Sequence, residues 1–300
     1  MFISLFFAAS MLMVSDRDQF WDSRTPSQQS QYAEVDGQGS AQILDEQQIE
    51  QAFEKMKGKR ILLLVHGFDN AEPAPAYDQI LSDIQNWDTA SHYDQVIGYI
   101  WPCYDVFWSY YWAENNINIV TPRLRRLLYK MKTTAATVDV IAHSLGNRLF
   151  LQALNYDKKK EHSGIIDNFF AVAPAVNADS IDKKKVYSRA VQNCANMFVF
   201  FSARDGVLKW LYPIPEWNEA LGYEGDVNPK MLPENIQMID CSALIDSHVA
   251  YLYCKPVFTF VGQVEEDEFP GPRIAQDVVL EASGYFEVTR WREYKEGSLK

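Results

Sequence analysis

Ser144 stands in the pentapeptide Ala142-His143-Ser144-Leu145-Gly146, between the apolar run "TVDVIAHS" and a stretch with helical spacing, "LGNRLFLQAL". A serine hydroxyl is a poor nucleophile until a base takes its proton. A sharp strand-to-helix turn is one place where a chain lifts such a hydroxyl clear of its neighbours. The pattern is G-x-S-x-G with alanine in the first glycine position. Small residues two positions either side let helix and strand approach without collision. The helix behind the serine would aim its first amides at an oxyanion formed there. The implied chemistry is acyl transfer through a covalent serine ester, with Ser144 as the expected nucleophile. The competing reading is a serine that only caps a helix, which is common.

Such a serine needs a base, and the base an orienting acid. In this type of turn they follow in the order serine, acid, histidine. Beyond the helix there are two histidines. His162 lies in the charged "DKKKEHSG" and precedes any suitable acid, whereas His248 lies in "ALIDSHVAYLY", after the last candidate strand. His248 is the expected base. Asp205 ends "NMFVFFSARD" and opens the turn sequence "RDGV", which makes it the expected acid. Asp226, Asp240 and Asp246 are its rivals; Asp246, two residues before His248, reads better as a helix cap. The run "LLLVHGF" ends in His66-Gly67-Phe68. Gly67 allows close approach, so the backbone amides of Phe68 and Leu145 are the expected oxyanion donors, with His66 holding the loop rather than acting as a base.

Two stretches are dense in aromatics, "WPCYDVFWSYYWAENN" and "WLYPIPEWNEALGY". Each follows a strand end on the edge where the site should lie. Trp101, Trp108, Tyr111, Trp210 and Tyr212 are therefore expected to bind substrate, as parts of an apolar cover. The alternative is ordinary packing of loops onto the core.

The elements that must hold these residues alternate. "RILLLVHGF", "QVIGYIWP", "TVDVIAHS", "NFFAVAPAV", "NMFVFFSARD" and "NIQMIDCS" read as buried strands. "AYDQILSDIQNW" places Ile80, Ile84 and Trp87 on one helical face. "TPRLRRLLYKMK" reads as a helix with Pro122 in its first turn and Leu124, Leu127, Leu128 and Met131 on one face. Strand–helix–strand alternation implies an α/β fold, a mostly parallel central sheet with helices on both faces. "SMLMVSDR" reads as a further buried strand, and the polar segment after it as a surface connection with one short strand at "QYAEVD".

The bulk numbers narrow the functions. A net charge of −12 leaves no excess of lysine and arginine for a phosphate backbone, so no nucleic-acid partner is expected. The runs Lys158–Lys160 and Lys183–Lys185 read as solvated loops or helix ends. The 4 cysteines show no CxxC spacing and read as reduced, mostly buried thiols. With no GxxxxGK[ST], GxGxxG or HExxH motif, no metal or other cofactor is expected. The opening run "MFISLFFAASMLMV" is shorter than the about 20 residues a span needs and has no basic residue in front, so no integral membrane insertion is expected. A cytoplasmic location is favoured; a secreted or periplasmic one stays open if this run is a signal peptide.

The order of "VHGF", Trp101-Pro102, "AHSLGNRL", "AVAPAV", "FSARDGVL" and the late "DSH" resembles a group of bacterial α/β-hydrolases catalogued as a domain family of unknown function. The resemblance spans roughly residues 60 to 252, and "VSDRDQF" resembles that family's opening strand. It implies the α/β-hydrolase fold and Ser144, Asp205 and His248 as a catalytic triad. Residues 1–45 would then be an N-terminal strand and polar connection, and 46–300 the α/β-hydrolase domain with aromatic loop insertions at about 101–116 and 207–235. The expected activity is that of a carboxylesterase-like serine hydrolase acting on a small, apolar acyl substrate. The alternatives are a catalytically silent binding or scaffolding protein of the same fold, or an acyltransferase using the same triad. Acyl length, bond type and oligomeric state stay open.

Overall fold

A computed structural model describes residues 11–21, 24–36, 39–68, 93–104, 107–156, 166–265, 276–282 and 286–291. Eleven strands among them form one sheet in the order β11-β10-β9-β8-β7-β6-β4-β5-β1-β2-β3. They are β1 (Met11–Arg17), β2 (Pro26–Val35), β3 (Ala41–Ile43), β4 (Arg60–Val65), β5 (Gln95–Ile100), β6 (Thr137–His143), β7 (Ile166–Val172), β8 (Cys194–Phe201), β9 (Ile236–Asp240), β10 (Gln276–Leu280) and β11 (Phe286–Trp291). In that order every pairing between β10 and β1 is parallel, and β1/β2, β2/β3 and β10/β11 are antiparallel. The helices are α1 (Glu46–Glu54), α2 (Tyr110–Thr134), α3 (Leu145–Leu154), α4 (Ser188–Gln192), α5 (Gly206–Trp210), α6 (Pro213–Glu216), α7 (Leu221–Glu224) and α8 (Lys255–Glu265). They cover both faces of the sheet, which is the α/β-hydrolase fold.

The central strands read as continuous apolar runs because both faces are covered. Ile61 to Val65 in β4 and Val138 to His143 in β6 are buried without a break. The segment "MLMVSDR" is the buried strand β1, parallel to β5 and antiparallel to β2. β2 is longer than "QYAEVD" suggests, running over ten residues and starting at Pro26. Its exposed Gln28 and Gln29 fall where the register with β1 shifts, between Pro26, opposite Arg17, and Gln31, opposite Ser15. β3, β10 and β11 carry little sequence signal; β3 has only three residues, and each lies near a sheet edge.

Two sequence expectations need correction. The helix expected to open at Pro122 begins at Tyr110 and runs 25 residues, with Pro122 inside it. Proline removes one ladder donor, but Ala113, Ile117, Val120, Leu124, Leu127 and Met131 keep one buried stripe through the site of the break, and packing outweighs the lost bond. Thr121 Oγ1 also donates to the Ile117 carbonyl at 2.7 Å, one turn back. Residues 110–116 are thus helix rather than loop. The second aromatic segment is likewise three short helices, α5, α6 and α7. The helix expected over "AYDQILSDIQNW" lies outside the described residues, as do His162 and Lys158–Lys160.

β4 and β6 are neighbours, but β4 leads to β5 on one side and β6 to β7 on the other. Their carboxyl ends form a topological switch point, where open α/β sheets leave a crevice. There α3 comes down on β4. A Cβ at Gly146 would lie 2.4 Å from the His66 carbonyl oxygen and 2.9 Å from that of Val65. Gly146→Ala should therefore cost about 1–3 kcal/mol by overpacking. Urea denaturation checks this, and an unchanged midpoint would show that the contact is soft.

Candidate active site

Ser144 joins β6 to α3 with φ 53° and ψ −125°, a conformation that L side chains rarely adopt. Neighbours lock it there. Its amide donates to the Val172 carbonyl at 3.0 Å, and its carbonyl accepts from the amides of Asn147 at 3.1 Å and Ala175 at 3.2 Å. The Asn147 side chain adds a bond to the same carbonyl at 3.1 Å and one to Val172 O at 3.0 Å. No side chain caps α3, and the first amides of a helix have no acceptor within it.

Asp205 follows β8 and caps α5. Its Oδ1 accepts from the amides of Val207 at 3.1 Å and Leu208 at 3.0 Å. Its Oδ2 lies 2.7 Å from His248 Nδ1, and the residue is wholly buried. His248 Nε2 lies 2.7 Å from Ser144 Oγ. The three side chains, 104 and 43 residues apart along the chain, form one line of hydrogen bonds. With the carboxylate accepting, Nδ1 carries the imidazole proton and Nε2 is left to accept from the serine hydroxyl. The rival acids are placed elsewhere. Asp240 Oδ1 accepts from Ser242 N, Asp226 Oδ1 from Asn228 N, and exposed Asp246 faces Arg204 at 3.8 Å.

His66 holds its loop through Trp101. The Trp101 amide donates to His66 Nε2 at 3.1 Å, and the Trp101 indole donates to the His66 carbonyl at 2.8 Å. The rings stack with centroids 5.5 Å apart, and His66 Nδ1 donates to Gly67 O at 2.8 Å. Burial, helped by the charge of Arg17, pushes His66 down to about 3, so it stays neutral. A Cβ at Gly67 would lie 2.9 Å from His143 Nδ1 and 3.0 Å from Ser144 Cβ, so only glycine brings this loop so close to the serine. Phe68, the next residue, is partly buried against the core.

The five aromatics expected at the substrate divide. Trp101 (0 % exposed) and Tyr212 (4 %) present no face to solvent and serve packing. Trp101 is claimed by His66; Tyr212 Oη donates to Asn177 Oδ1 at 2.7 Å. Trp108, Tyr111 and Trp210 are more than 60 % exposed, as are Trp112 and Trp217.

What ties both aromatic segments down is Arg148, which sequence reading treated only as part of a helix. It lies on α3, four residues after Ser144, and is almost wholly buried. Its guanidinium pairs with Glu114 of α2, and with Glu216 of α6 at 2.7 Å. Tyr110 Oη donates to the same Glu216 oxygen at 2.8 Å. Burial raises the Glu114 carboxyl; Arg148 draws it back down and Glu216 raises it further. Burial also lifts the phenols of Tyr110 and Tyr212, which remain neutral donors.

All four cysteines are free, and three are buried. Among the described residues no group of three or more histidine, cysteine and acidic side chains is arranged to hold a metal ion. No helix among them is long and apolar enough to cross a membrane.

A family model described as "Alpha/beta hydrolase of unknown function (DUF900)" matches residues 42–222. No curated protein matches the chain. Among solved structures it is similar to the Pyrococcus furiosus esterase Pf2001 in a C2221 crystal form, at 13 % identity and a TM-score of 0.40 over 80 % of this chain and 82 % of that one. The P212121 form of the same esterase gives 14 %, 0.42, 71 % and 83 %. Carboxyl esterase 2 from Tuber melanosporum gives 10 %, 0.28, 71 % and 61 %.

Two buried neutral imidazoles have a consequence for acid stability. His66 and His143 both sit at about 3 in the folded chain, against about 6.5 when unfolded. The unfolded chain therefore binds more protons in this window, and stability falls as pH drops from 6.5 towards 3, by at most about 1.4 kcal/mol per pH unit per histidine. Asp16 and Glu114, both raised by burial, act in the opposite sense. Urea midpoints should fall between pH 7 and 5, with a shallower slope in His66→Gln. Constant midpoints over that range would contradict the account.

Proposed function

The chain belongs to the α/β-hydrolase family of unknown function DUF900, and on that premise we propose that it is a serine hydrolase acting through Ser144, His248 and Asp205. The observation that carries this reading is the unbroken line from Ser144 Oγ to His248 to buried Asp205, at 2.7 Å and 2.7 Å, ending on a strained strand-to-helix turn. Holding a non-glycine residue in that conformation costs about 1–3 kcal/mol, and burying a carboxylate costs more. A merely structural site has no use for either.

In this reading Ser144 Oγ attacks the acyl carbon while His248 Nε2 takes the hydroxyl proton. Asp205 stabilises the imidazolium and does not itself take the proton. The carbonyl oxygen becomes an oxyanion between the amides of Phe68 and Leu145. The bond to the leaving oxygen then breaks, and that oxygen receives the proton from His248. Water, deprotonated by the same nitrogen, attacks the acyl-enzyme, and cleavage of the Ser144 ester releases the acid. The substrate is an ester or related acyl compound with an apolar acyl or aromatic group. Support for this comes from the exposed Trp108, Tyr111, Trp112 and Trp210 in segments anchored beside Arg148 and Asp205, and from a net charge of −12, which disfavours anionic substrates.

Fluorophosphonate labelling tests the nucleophile. Ser144→Ala should abolish it with thermal stability nearly unchanged, and labelling that survives would refute the assignment. His248→Ala should lower turnover by several orders of magnitude, and Asp205→Asn somewhat less, about 10⁴-fold or below. A p-nitrophenyl ester series tests the substrate class. Each methylene buried is worth about 0.8 kcal/mol, so kcat/KM should rise roughly threefold to fourfold per carbon until the site is full. A flat profile, or a preference for acetyl, would assign the exposed aromatics to other work.

A further inference from the structure

His143 stands immediately before Ser144 in the elbow pentapeptide, and its side chain is almost wholly buried. It sits between two parts of the site. On one side its Nδ1 presses against Gly67, at 2.9 Å from where a Cβ would stand. On the other its Nε2 lies 3.0 Å from the backbone oxygen of His248, and the two imidazole rings are 4.9 Å apart, tilted by 41°.

The tautomer follows from these contacts. A carbonyl oxygen only accepts, so Nε2 carries the proton and donates to His248 O. Nδ1 is then a bare lone pair, buried and without a partner among the described residues. Burial, reinforced by the nearby His248, pushes His143 down to about 3, so the ring keeps a single proton at neutral pH. A buried acceptor without a partner costs about 1–3 kcal/mol. Leucine or phenylalanine would fill the space without that cost, so packing does not account for a histidine here. What only the histidine adds is the bond to His248.

That bond acts where the base is least supported by regular structure. His248 lies outside the helices and strands, eight residues beyond the end of β9. The segment before it is held through Ile245, whose carbonyl accepts from Ser202 Oγ at 2.7 Å. The carbonyl of His248 itself is held by His143. The base must meet Ser144 and Asp205 together, and a displacement of about 1 Å in such an arrangement can cost about 10²-fold in rate.

We infer that His143 is a positioning residue, which ties the backbone of His248 to the nucleophile's own strand so that its imidazole meets Ser144 Oγ and Asp205 at once. This rests on the reading of Ser144, His248 and Asp205 as the catalytic triad.

The test compares three variants. His143→Phe keeps a ring and loses the donor. His143→Asn keeps an amide too short to reach His248 O. His143→Gln keeps an N–H at the reach of Nε2. For a p-nitrophenyl ester, the Phe and Asn variants should lose about tenfold to a hundredfold in kcat, with KM within about twofold. The rate of fluorophosphonate inactivation should fall by the same factor, and the downfield proton of the His248–Asp205 bond should broaden. The Gln variant should recover most of the rate. The inference is overturned if the Phe and Asn variants keep kcat within about twofold, if Gln falls as far as Phe, or if none of the three folds, since that would make the role purely structural. Wild-type protein inert to the fluorophosphonate would instead sink the triad reading. A reactive wild type matched by His143→Phe would sink this inference alone.

Discussion

A single carbon atom added at residue 146 would collide with the carbonyl oxygen of His66 at 2.4 Å, and much of the site depends on the absence of that atom. Because Gly146 lets α3 rest on the end of β4, the serine turn and the His66-Gly67-Phe68 loop share one small volume. Gly67 repeats the constraint from the other side, against Ser144 Cβ and the His143 ring. Two glycines, one in the first turn of α3 and one just past the end of β4, thus bring a strained serine and a backbone loop into contact. The switch point of the sheet supplies the crevice, and the glycines let backbone line it.

Around this contact the polar groups divide by charge. The two imidazoles buried beside the serine turn, His66 and His143, are held neutral by burial, one bonded to Gly67 and Trp101 and the other to the His248 backbone. Ionic groups stand one turn further along α3, where Arg148 lies between Glu114 and Glu216. Had either buried histidine been charged, its field would oppose a second positive charge forming on His248. Neutral packing beside the proposed base and ion pairs at a distance leave Asp205 as the charge that acts directly on it.

The residues legible in the sequence are those whose local chemistry is specific. Ser144 was legible because small residues flank it at a strand-to-helix join, and Asp205 because "RDGV" is a turn at the end of an apolar run. His248 followed from chain order. The central strands were legible as apolar runs, since both their faces are covered. The start of α2 was not: Pro122 is a stronger local stop signal than the stripe that continues through it, and an aromatic-rich opening turn looks like loop. The edge strand β3 was not legible for the opposite reason, because three mostly exposed residues satisfy a ladder without leaving an apolar pattern, and β2 was legible only in its second half. Trp101 and Tyr212 could not be told from exposed aromatics by composition, since only a partner such as His66 or Asn177 decides which way each ring faces. His143 left a signal that was visible but unweighted, a bulky titratable residue in a turn crowded by design.

Arg148 joins these observations. A guanidinium buried between two carboxylates is weak evidence for stability, because desolvation offsets most of the attraction; the geometry it imposes is the stronger effect. Here it draws α2 and α6 onto the helix that begins at Ser144. Each partner brings an aromatic segment with it, Glu114 the turn that carries Trp108, Tyr111 and Trp112, and Glu216 the segment between Trp210 and Trp217. Those rings are exposed because the polar and ionic groups behind them are used inward. Segments held by a fork of ion pairs cannot slide along α3 as a purely apolar contact could, since any shift would strand a carboxylate in the interior. The same helix therefore carries both the proposed nucleophile at its start and, one turn on, the guanidinium that fixes the two aromatic segments.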